Sequence, residues 1–160
     1  MRGNVAPPRG TPKLAPFRLN QRDGNVTAAI GVADLWSDVW TYEVPQGTGI
    51  VLQAGDTLSA FLATAPATEV VDPELNHVRV EVRDPSGLSI DQVFGPALYL
   101  RVQEFVNRNT IARLGVSAPV KVYPRQRIVI CVLSPQIVAV AADASYFDLH
   151  TSKVGTPLCR

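Results

Sequence analysis

The chain has 160 residues, of which 46% are hydrophobic and 18% are charged, and its formal net charge is +1. This length fits one domain, and the charged fraction is below the roughly 25% of an average soluble domain. No apolar run reaches the about 20 residues of a membrane-spanning helix, so the sequence predicts no membrane span. No continuous apolar stretch follows the first charges, so we also expect no secretory signal.

Residue types that carry chemistry are sparse. The sequence has no glycine-rich phosphate loop and no Gly-x-Ser-x-Gly elbow. The only histidines, His77 and His150, are far apart, and Cys131 and Cys159 are too few for a zinc site or a disulfide scaffold. We therefore expect no enzyme, no metal ion and no cofactor. Cys131 lies in an apolar run and is interpreted as a small buried hydrophobe.

The segment Met1–Arg22 differs from the rest of the chain and is called the arm. The arm has five basic residues, four prolines and no acid, for a charge of +5. Ten basic residues against fourteen acids remain, so the rest of the chain carries −4. Proline fixes φ and disfavours helix at the preceding residue, which predicts an extended arm. Its candidate partner-binding residues are basic or apolar: Arg2, Arg9, Lys13, Leu14, Phe17, Arg18, Leu19 and Arg22.

Leu14, Phe17 and Leu19 allow two interpretations. They could insert into grooves on a neighbouring protein, which we favour, or cover an edge of this chain's own domain. Basic arms also neutralise nucleic-acid phosphates. The five charges are spread along the whole arm and form no dense block, however, and the rest of the chain is acidic, so a nucleic-acid partner is not expected.

Beyond the arm, short strands alternate with turns. His77–Asp84 shows the clearest alternation, with Val78, Val80 and Val82 on one face and Arg79, Glu81 and Arg83 on the other. Asp84-Pro85-Ser86-Gly87 is a turn signal that predicts a hairpin with Leu88–Phe94. The other strands predicted in this half of the chain are Trp36–Val44, Ile50–Gln53 and Thr57–Thr64. Gly24–Ser37 is ambiguous and could hold a short strand, Val26–Val32, and a turn.

The second half of the chain continues this pattern. Ala97–Asn107 fits either strands or one helix, and we favour strands with a turn at residues 107–109. Arg127–Leu133 is nearly all apolar, which is typical of a buried strand. The remaining predicted strands are Val120–Tyr123, Ile137–Ala142 and Ser145–Thr151.

About eight to ten short strands at this spacing predict a mainly β fold. We expect one antiparallel β-sandwich domain, jelly-roll-like, over residues 23–154, with the arm before it and a tail at 155–160. Alternation in the Trp36 strand places Trp36, Trp40 and Tyr42 on one face. That face is interpreted as core, although it would also suit a carbohydrate-stacking platform.

The Pro/Arg arm Met1–Arg22 and the strand-and-turn string Thr41–Thr151 together resemble the decoration (cement or auxiliary head) proteins of tailed bacteriophages and related viruses. The resemblance implies a non-enzymatic virion protein on the capsid surface. It also implies capsid or other assembly proteins as partners, a homo-oligomer such as a trimer, and an arm that lashes neighbouring subunits together. Single-jelly-roll capsid subunits are similar as well. The alternative function, which is not structural, is that of a carbohydrate-binding β-sandwich module.

Overall fold

The computed structural model describes residues 14–26, 29–30, 33–63, 77–92, 98–99, 102–103, 110–113, 116, 118–135, 137–139 and 146–154. Within these ranges the chain forms fifteen β-strands and one 3-10 turn, Gln21–Asp23. The strands are β1 Leu14–Asn20, β2 Asn25–Val26, β3 Ala29–Ile30, β4 Trp36–Glu43, β5 Gly49–Leu52, β6 Thr57–Ala63, β7 His77–Arg83, β8 Ser89–Gln92, β9 Leu98–Tyr99, β10 Val102–Gln103, β11 Thr110–Arg113, β12 Val120–Val122, β13 Arg127–Leu133, β14 Val138–Ala139 and β15 Tyr146–Val154.

The strands form two main sheets. In the first sheet β15 pairs with β1, β5 and β6, while β12 pairs with β5 and β11 with β6. The second sheet has the order β2-β4-β13-β7-β8, and β9 also pairs with β7. Strands β3 and β14 form a separate two-stranded ribbon. Pairing is antiparallel throughout, apart from the parallel contact of β10 with β6.

The two sheets enclose one hydrophobic core. A single cluster of buried side chains includes Ile50, Leu52, Phe147 and Leu149 from the first sheet. The same cluster contains residues of the second sheet, Trp40, Val80, Val82, Ile128, Ile130 and Val132. Because both sheets contribute to one cluster, they pack face to face, and the predicted antiparallel β-sandwich is confirmed.

Strand β13 has the bounds that the sequence predicts and lies between β4 and β7. Ile128, Ile130 and Val132 point into the core. Val129 and Cys131 lie on the other face, yet they too are buried, so the interpretation of Cys131 as a buried residue is confirmed. This strand is therefore closed to water on both faces.

The predicted hairpin is also present. The Gly87 amide donates to the Asp84 carbonyl at 3.0 Å, and β8 pairs back onto β7. The described parts of Ala97–Asn107 are the short strands β9 and β10. The predicted turn at residues 107–109 and the tail with Cys159 lie outside the described residues. No helix in the described ranges is long and apolar enough to cross a bilayer.

A bulge in β4 changes the predicted aromatic face. Ile130 opposes Trp40 while the next residue, Cys131, opposes Asp38, so β4 has one extra residue at Val39. A bulge of this kind reverses the side-chain alternation. Trp40 consequently lies in the core, stacked on Tyr42 at 6.1 Å, whereas Trp36 lies on the opposite face against Arg79. The single face predicted for the three aromatic side chains is therefore wrong.

The sandwich also begins earlier than the boundary predicted at residue 22. Leu14–Asn20, in the second half of the arm, forms β1 at the edge of the first sheet. Pro16 is compatible with this position because an edge strand bonds to a neighbour on only one side. The beginning of the arm, Met1–Lys13, lies outside the described residues.

Gly24 offers a test of how the chain crosses from the first sheet to the second. A Cβ atom here would lie 2.4 Å from the Thr41 carbonyl oxygen and 2.7 Å from the Trp40 ring. We expect Gly24→Ala to destabilise the fold by about 1–3 kcal/mol, since a packed core tolerates added volume poorly. Urea denaturation measures this change. Gly49→Ala is the control, because its nearest neighbour would be 3.7 Å away; equal effects of the two substitutions would contradict the packing described here.

Candidate assembly interface

Strand β1 is joined to β15 along its whole length, from Leu14 opposite Val154 to Asn20 opposite Asp148. Its side chains alternate between two environments. Leu19 is buried in the core and Phe17 packs against it. The Lys153 ammonium group lies 5.1 Å from the centre of the Phe17 ring, a cation–π contact. The inner face of β1 is therefore part of this domain.

The end of β1 is fixed where the chain turns toward the second sheet. The Arg22 amide donates to the Asn20 side-chain oxygen at 2.9 Å, and the Asn20 amide donates to Asp23 at 2.7 Å. The Trp40 indole N–H donates to the Gln21 carbonyl at 3.2 Å. These reciprocal bonds form a capping box and hold the turn over the core.

On the outer face, an ion pair joins β1 to β15. Arg18 Nε donates to Asp148 Oδ1 at 2.7 Å and a second guanidinium nitrogen donates to Oδ2 at 2.5 Å. The Asp148 side chain is 8% exposed and that of Arg18 is 65% exposed. Burial raises the pKa of Asp148, but hydrogen bonding and charge from Arg18, with a smaller effect of His150, outweigh it and lower the pKa overall. The carboxylate is thus held ionised beneath an arginine that faces solvent.

A small pocket lies beside this pair, where β15 extends past the end of β1. Its volume is about 230 Å³, and its lining includes Asn20, Gln21, Arg22 and Tyr146. Ligand pockets usually measure about 300–1,000 Å³, so this pocket is smaller than most of them. The described residues contain no group of three His, Cys, Asp or Glu side chains that could hold a metal ion.

The outer face of the second sheet carries a network of ion pairs. Arg83 binds Asp38 through two bonds of 2.5 and 2.8 Å and also contacts Glu81 at 2.8 Å. Arg79 pairs with the other Glu81 oxygen and lies 4.2 Å from the centre of the Trp36 ring. Alternation in β7 predicts these charges but not the burial of Glu81, which is 2% exposed. This network closes the outer face of β13.

Cys131 lies within that network. Its Sγ is 3.4 Å from both Asp38 Oδ1 and a guanidinium nitrogen of Arg83. Burial, with the charges of Glu81 and Asp38, raises the pKa of Cys131 to about 12. The thiol is therefore protonated at neutral pH, whereas nucleophilic cysteines need the thiolate.

Exposed apolar side chains concentrate at the two ends of the sandwich. Among the described residues, the exposed large hydrophobics are Leu14, Leu35, Leu88, Tyr123 and Ile137. Leu14 is the first residue of β1. Leu88 lies in the turn after β7 and Tyr123 in the turn before β13, and the adjoining ends of these strands are paired through Arg83 and Arg127. Leu35 and Ile137 flank the opposite ends of β4 and β13. We call the end with Leu14, Leu88 and Tyr123 the Tyr123 end, and the end with Leu35 and Ile137 the Leu35 end.

The structure divides the predicted partner-binding residues into three groups. Leu19 and Phe17 pack against this domain's own core, which matches the edge-covering interpretation of these side chains. Leu14, Arg18 and Arg22 are exposed. Arg2, Arg9 and Lys13 lie outside the described residues. Apolar residues at every second position, Ala15, Phe17 and Leu19, were a strand signal that the prolines obscured.

Comparison with known proteins gives a structural likeness without a sequence likeness. No protein-family model matches this sequence, and no curated protein matches it at a significant level. Among solved structures, the chain is similar to VP17, a capsid protein of bacteriophage P23-77, with a TM-score of 0.55 and 11% identity. The match covers 88% of this chain and 95% of the VP17 chain.

A second match has the same scores. It is to the VP16–VP17 complex, a complex of the two major capsid proteins of bacteriophage P23-77, and covers 88% of this chain and 98% of the matched chain. The TM-score of 0.55 in both comparisons shows a shared fold. The likeness extends over nearly the whole of each chain, so it concerns the entire sandwich and not one sheet.

Two leucines of β1 test whether this strand belongs to the domain. We expect Leu19→Ala to destabilise the fold by about 2–5 kcal/mol because it leaves a cavity in the core. Leu14→Ala should change stability by less than about 0.5 kcal/mol, since this side chain is exposed. Urea denaturation of both variants checks this prediction. A Leu19→Ala variant as stable as the parent would show that β1 does not dock in solution.

The Arg18–Asp148 pair predicts a pH dependence. The folded-state pKa of Asp148 is lowered, so its contribution to stability is complete above the unfolded pKa of about 3.9. That contribution is lost as the pH falls below about 4 and through the folded pKa. We expect Arg18→Ala to raise the pKa of Asp148, because the effect of burial is then opposed by the smaller effect of His150 and no longer by Arg18. NMR titration of the carboxyl measures the shift, with Arg18→Lys as a charge-retaining control. An unchanged pKa in Arg18→Ala would contradict the ion pair.

Proposed function

We propose that this chain is a non-enzymatic structural protein of a virion, with a place in the capsid shell. One observation carries the proposal: the sandwich has the fold of the capsid protein VP17 over 88% of this chain and 95% of that one. Fold alone does not determine function, so the proposal also depends on the surfaces of this chain.

Those surfaces suit protein contacts. On the second sheet, the ion-pair network covers the central strand, and the pocket on the first sheet has room for about one side chain. The exposed apolar side chains in the described ranges lie at the ends of the sandwich. Exposed apolar groups that form a contiguous patch commonly mark interaction sites, and three of these five side chains lie at the Tyr123 end. The bulge in β4 separates Trp36 from Trp40, which removes the aromatic platform that a carbohydrate-binding module would use.

Within this proposal, the segment Met1–Lys13 acts as a connector to a neighbour. Strand β1 begins at the Tyr123 end, where Leu14 opposes Val154 of β15, so the segment starts from that end. Fully extended, it would reach about 45 Å, and it carries Arg2, Arg9 and Lys13 with no acid. Its arginines can form charge-assisted hydrogen bonds with carboxylates of a neighbouring capsid protein or a second copy. Proline restricts the conformations open to a chain, which lowers the entropy cost of binding to a neighbour.

We favour a lattice subunit over a decoration protein on the capsid surface. The VP16–VP17 complex consists of major capsid proteins, and the likeness to it supports this choice. A homo-oligomer, including a trimer, is compatible with either role. Production of particles without this chain separates the two: a lattice subunit is needed for the shell to form, whereas shells lacking a decoration protein form and are less stable.

Two truncations test the connector. We expect deletion of residues 1–13 to leave the melting temperature unchanged, because β1 is retained, and to reduce incorporation into particles. Deletion of residues 1–20 should lower the melting temperature as well, since it removes Leu19 from the core. Circular dichroism and quantification of the chain in purified particles provide the two measurements. Full incorporation of the shorter truncation would rule out the connector role.

A further inference from the structure

The two ends of the sandwich share one unusual backbone feature. Among the described residues, two non-glycine residues have positive φ: Asp34 at 58° and Arg125 at 68°. Arg125 lies just before β13, and Asp34 bonds to Ser134 just after it. The length of this strand, roughly 20 Å, therefore separates them. One basic and one acidic side chain are thus presented at opposite ends of the molecule.

At the Tyr123 end, the turn that carries Arg125 is firmly held. The Arg125 amide donates to the Val44 carbonyl at 2.8 Å, and the Val44 amide donates to Gln126 at 2.9 Å. Gln126 also closes the turn through its amide, which donates to the Tyr123 carbonyl at 3.1 Å. Pro124 precedes Arg125, a combination typical of a type II turn, whose third position favours glycine or asparagine. The turn therefore presents an arginine where glycine would fit with less strain.

The surroundings of Arg125 resemble the centre of a protein interface. Tyr123 is 58% exposed and Leu88, in the neighbouring turn, is 70% exposed. The Arg125 side chain has no ion pair with any residue that the structure describes. Tyrosine and arginine are enriched among the residues that dominate binding energy. The backbone of the turn that holds both is already fixed, which lowers the ordering cost of binding.

The Leu35 end has the complementary chemistry. The Asp34 amide donates to the Ser134 carbonyl at 2.7 Å, which ties the two loops of this end together. Leu35 and Ile137 are both exposed on these loops. The Asp34 carboxylate forms no ion pair within the described ranges. An acid beside exposed aliphatic groups matches an arginine beside tyrosine and leucine.

We propose that the Tyr123 end of one copy binds the Leu35 end of a second copy, with Arg125 paired to Asp34 across the contact. The proposal deepens the assembly role and rests on it. Because the two surfaces differ, the contact is heterologous and produces a ring or an open row rather than a closed dimer. Tyr123 and Leu88 then pack on Leu35 and Ile137, and the ion pair sets the register.

A charge-swap experiment on the full chain tests the contact. Sedimentation velocity over a concentration series measures self-association. We expect Arg125→Asp and Asp34→Asn each to weaken association about tenfold or more, because one leaves like charges opposed and the other leaves a charge unpaired. Arg125→Asp combined with Asp34→Lys should restore it. Lys121→Asp is the matched control, a charge reversal on an exposed side chain of β12 that should leave association unchanged.

Arg125→Gly separates charge from backbone strain. Glycine relaxes the turn, so this variant should be at least as stable as the parent. Its self-association should nevertheless be weaker than that of the parent, because the arginine charge is missing. A wild-type chain that stays monomeric at its solubility limit, or a double variant without recovery, would overturn the head-to-tail contact.

Incorporation into particles is a separate readout. If Arg125→Asp is incorporated into particles as efficiently as wild type, the proposed contact is contradicted while the capsid role stands. If wild type does not enter particles, the capsid role itself fails.

Discussion

The fold depends on burying β13 from both sides. Its inner face supplies Ile128, Ile130 and Val132 to the core, and its edges bond to β4 and β7. Its outer face would expose Val129 and Cys131 if the paired charges of β7 and β4 did not cover them. A carboxylate as buried as Glu81 is tolerated only when it is paired, and two arginines pair with it. With that face closed, the exposed apolar surface among the described residues is left at the ends of the strands.

Much of this arrangement follows from the sequence. Alternation in His77–Arg83, the apolar run Arg127–Leu133 and the Asp84–Gly87 turn each predict what the structure shows. Local patterns could not reveal the bulge at Val39, because a bulge is defined by the partner strand. They also could not show that Glu81 is covered, since that depends on side chains from three strands. Strand β1 was obscured for another reason: its one proline, Pro16, and its one arginine, Arg18, are residues that an extended arm shares with an edge strand.

The proposed capsid role is supported by two independent observations, the fold and the surfaces of this chain. The likeness to VP17 concerns the course of the backbone, at 11% identity, and does not identify any side chain. The contacts we propose are argued from this chain alone: a basic stretch of sequence before β1, an arginine on a rigid turn at the Tyr123 end and an acid at the Leu35 end. Among the predicted site residues that the structure describes, Phe17 and Leu19 are held by this domain's core and Arg18 by its ion pair with Asp148. Leu14 and Arg22 are exposed.

The most direct test of the capsid role is an electron cryomicroscopy map of purified particles at a resolution that distinguishes side chains. We predict density for this sandwich at regular positions in the shell, with residues 1–13 extending from the Tyr123 end onto a neighbouring subunit. Infectious particles that have a complete shell but no density for this chain would contradict the capsid role.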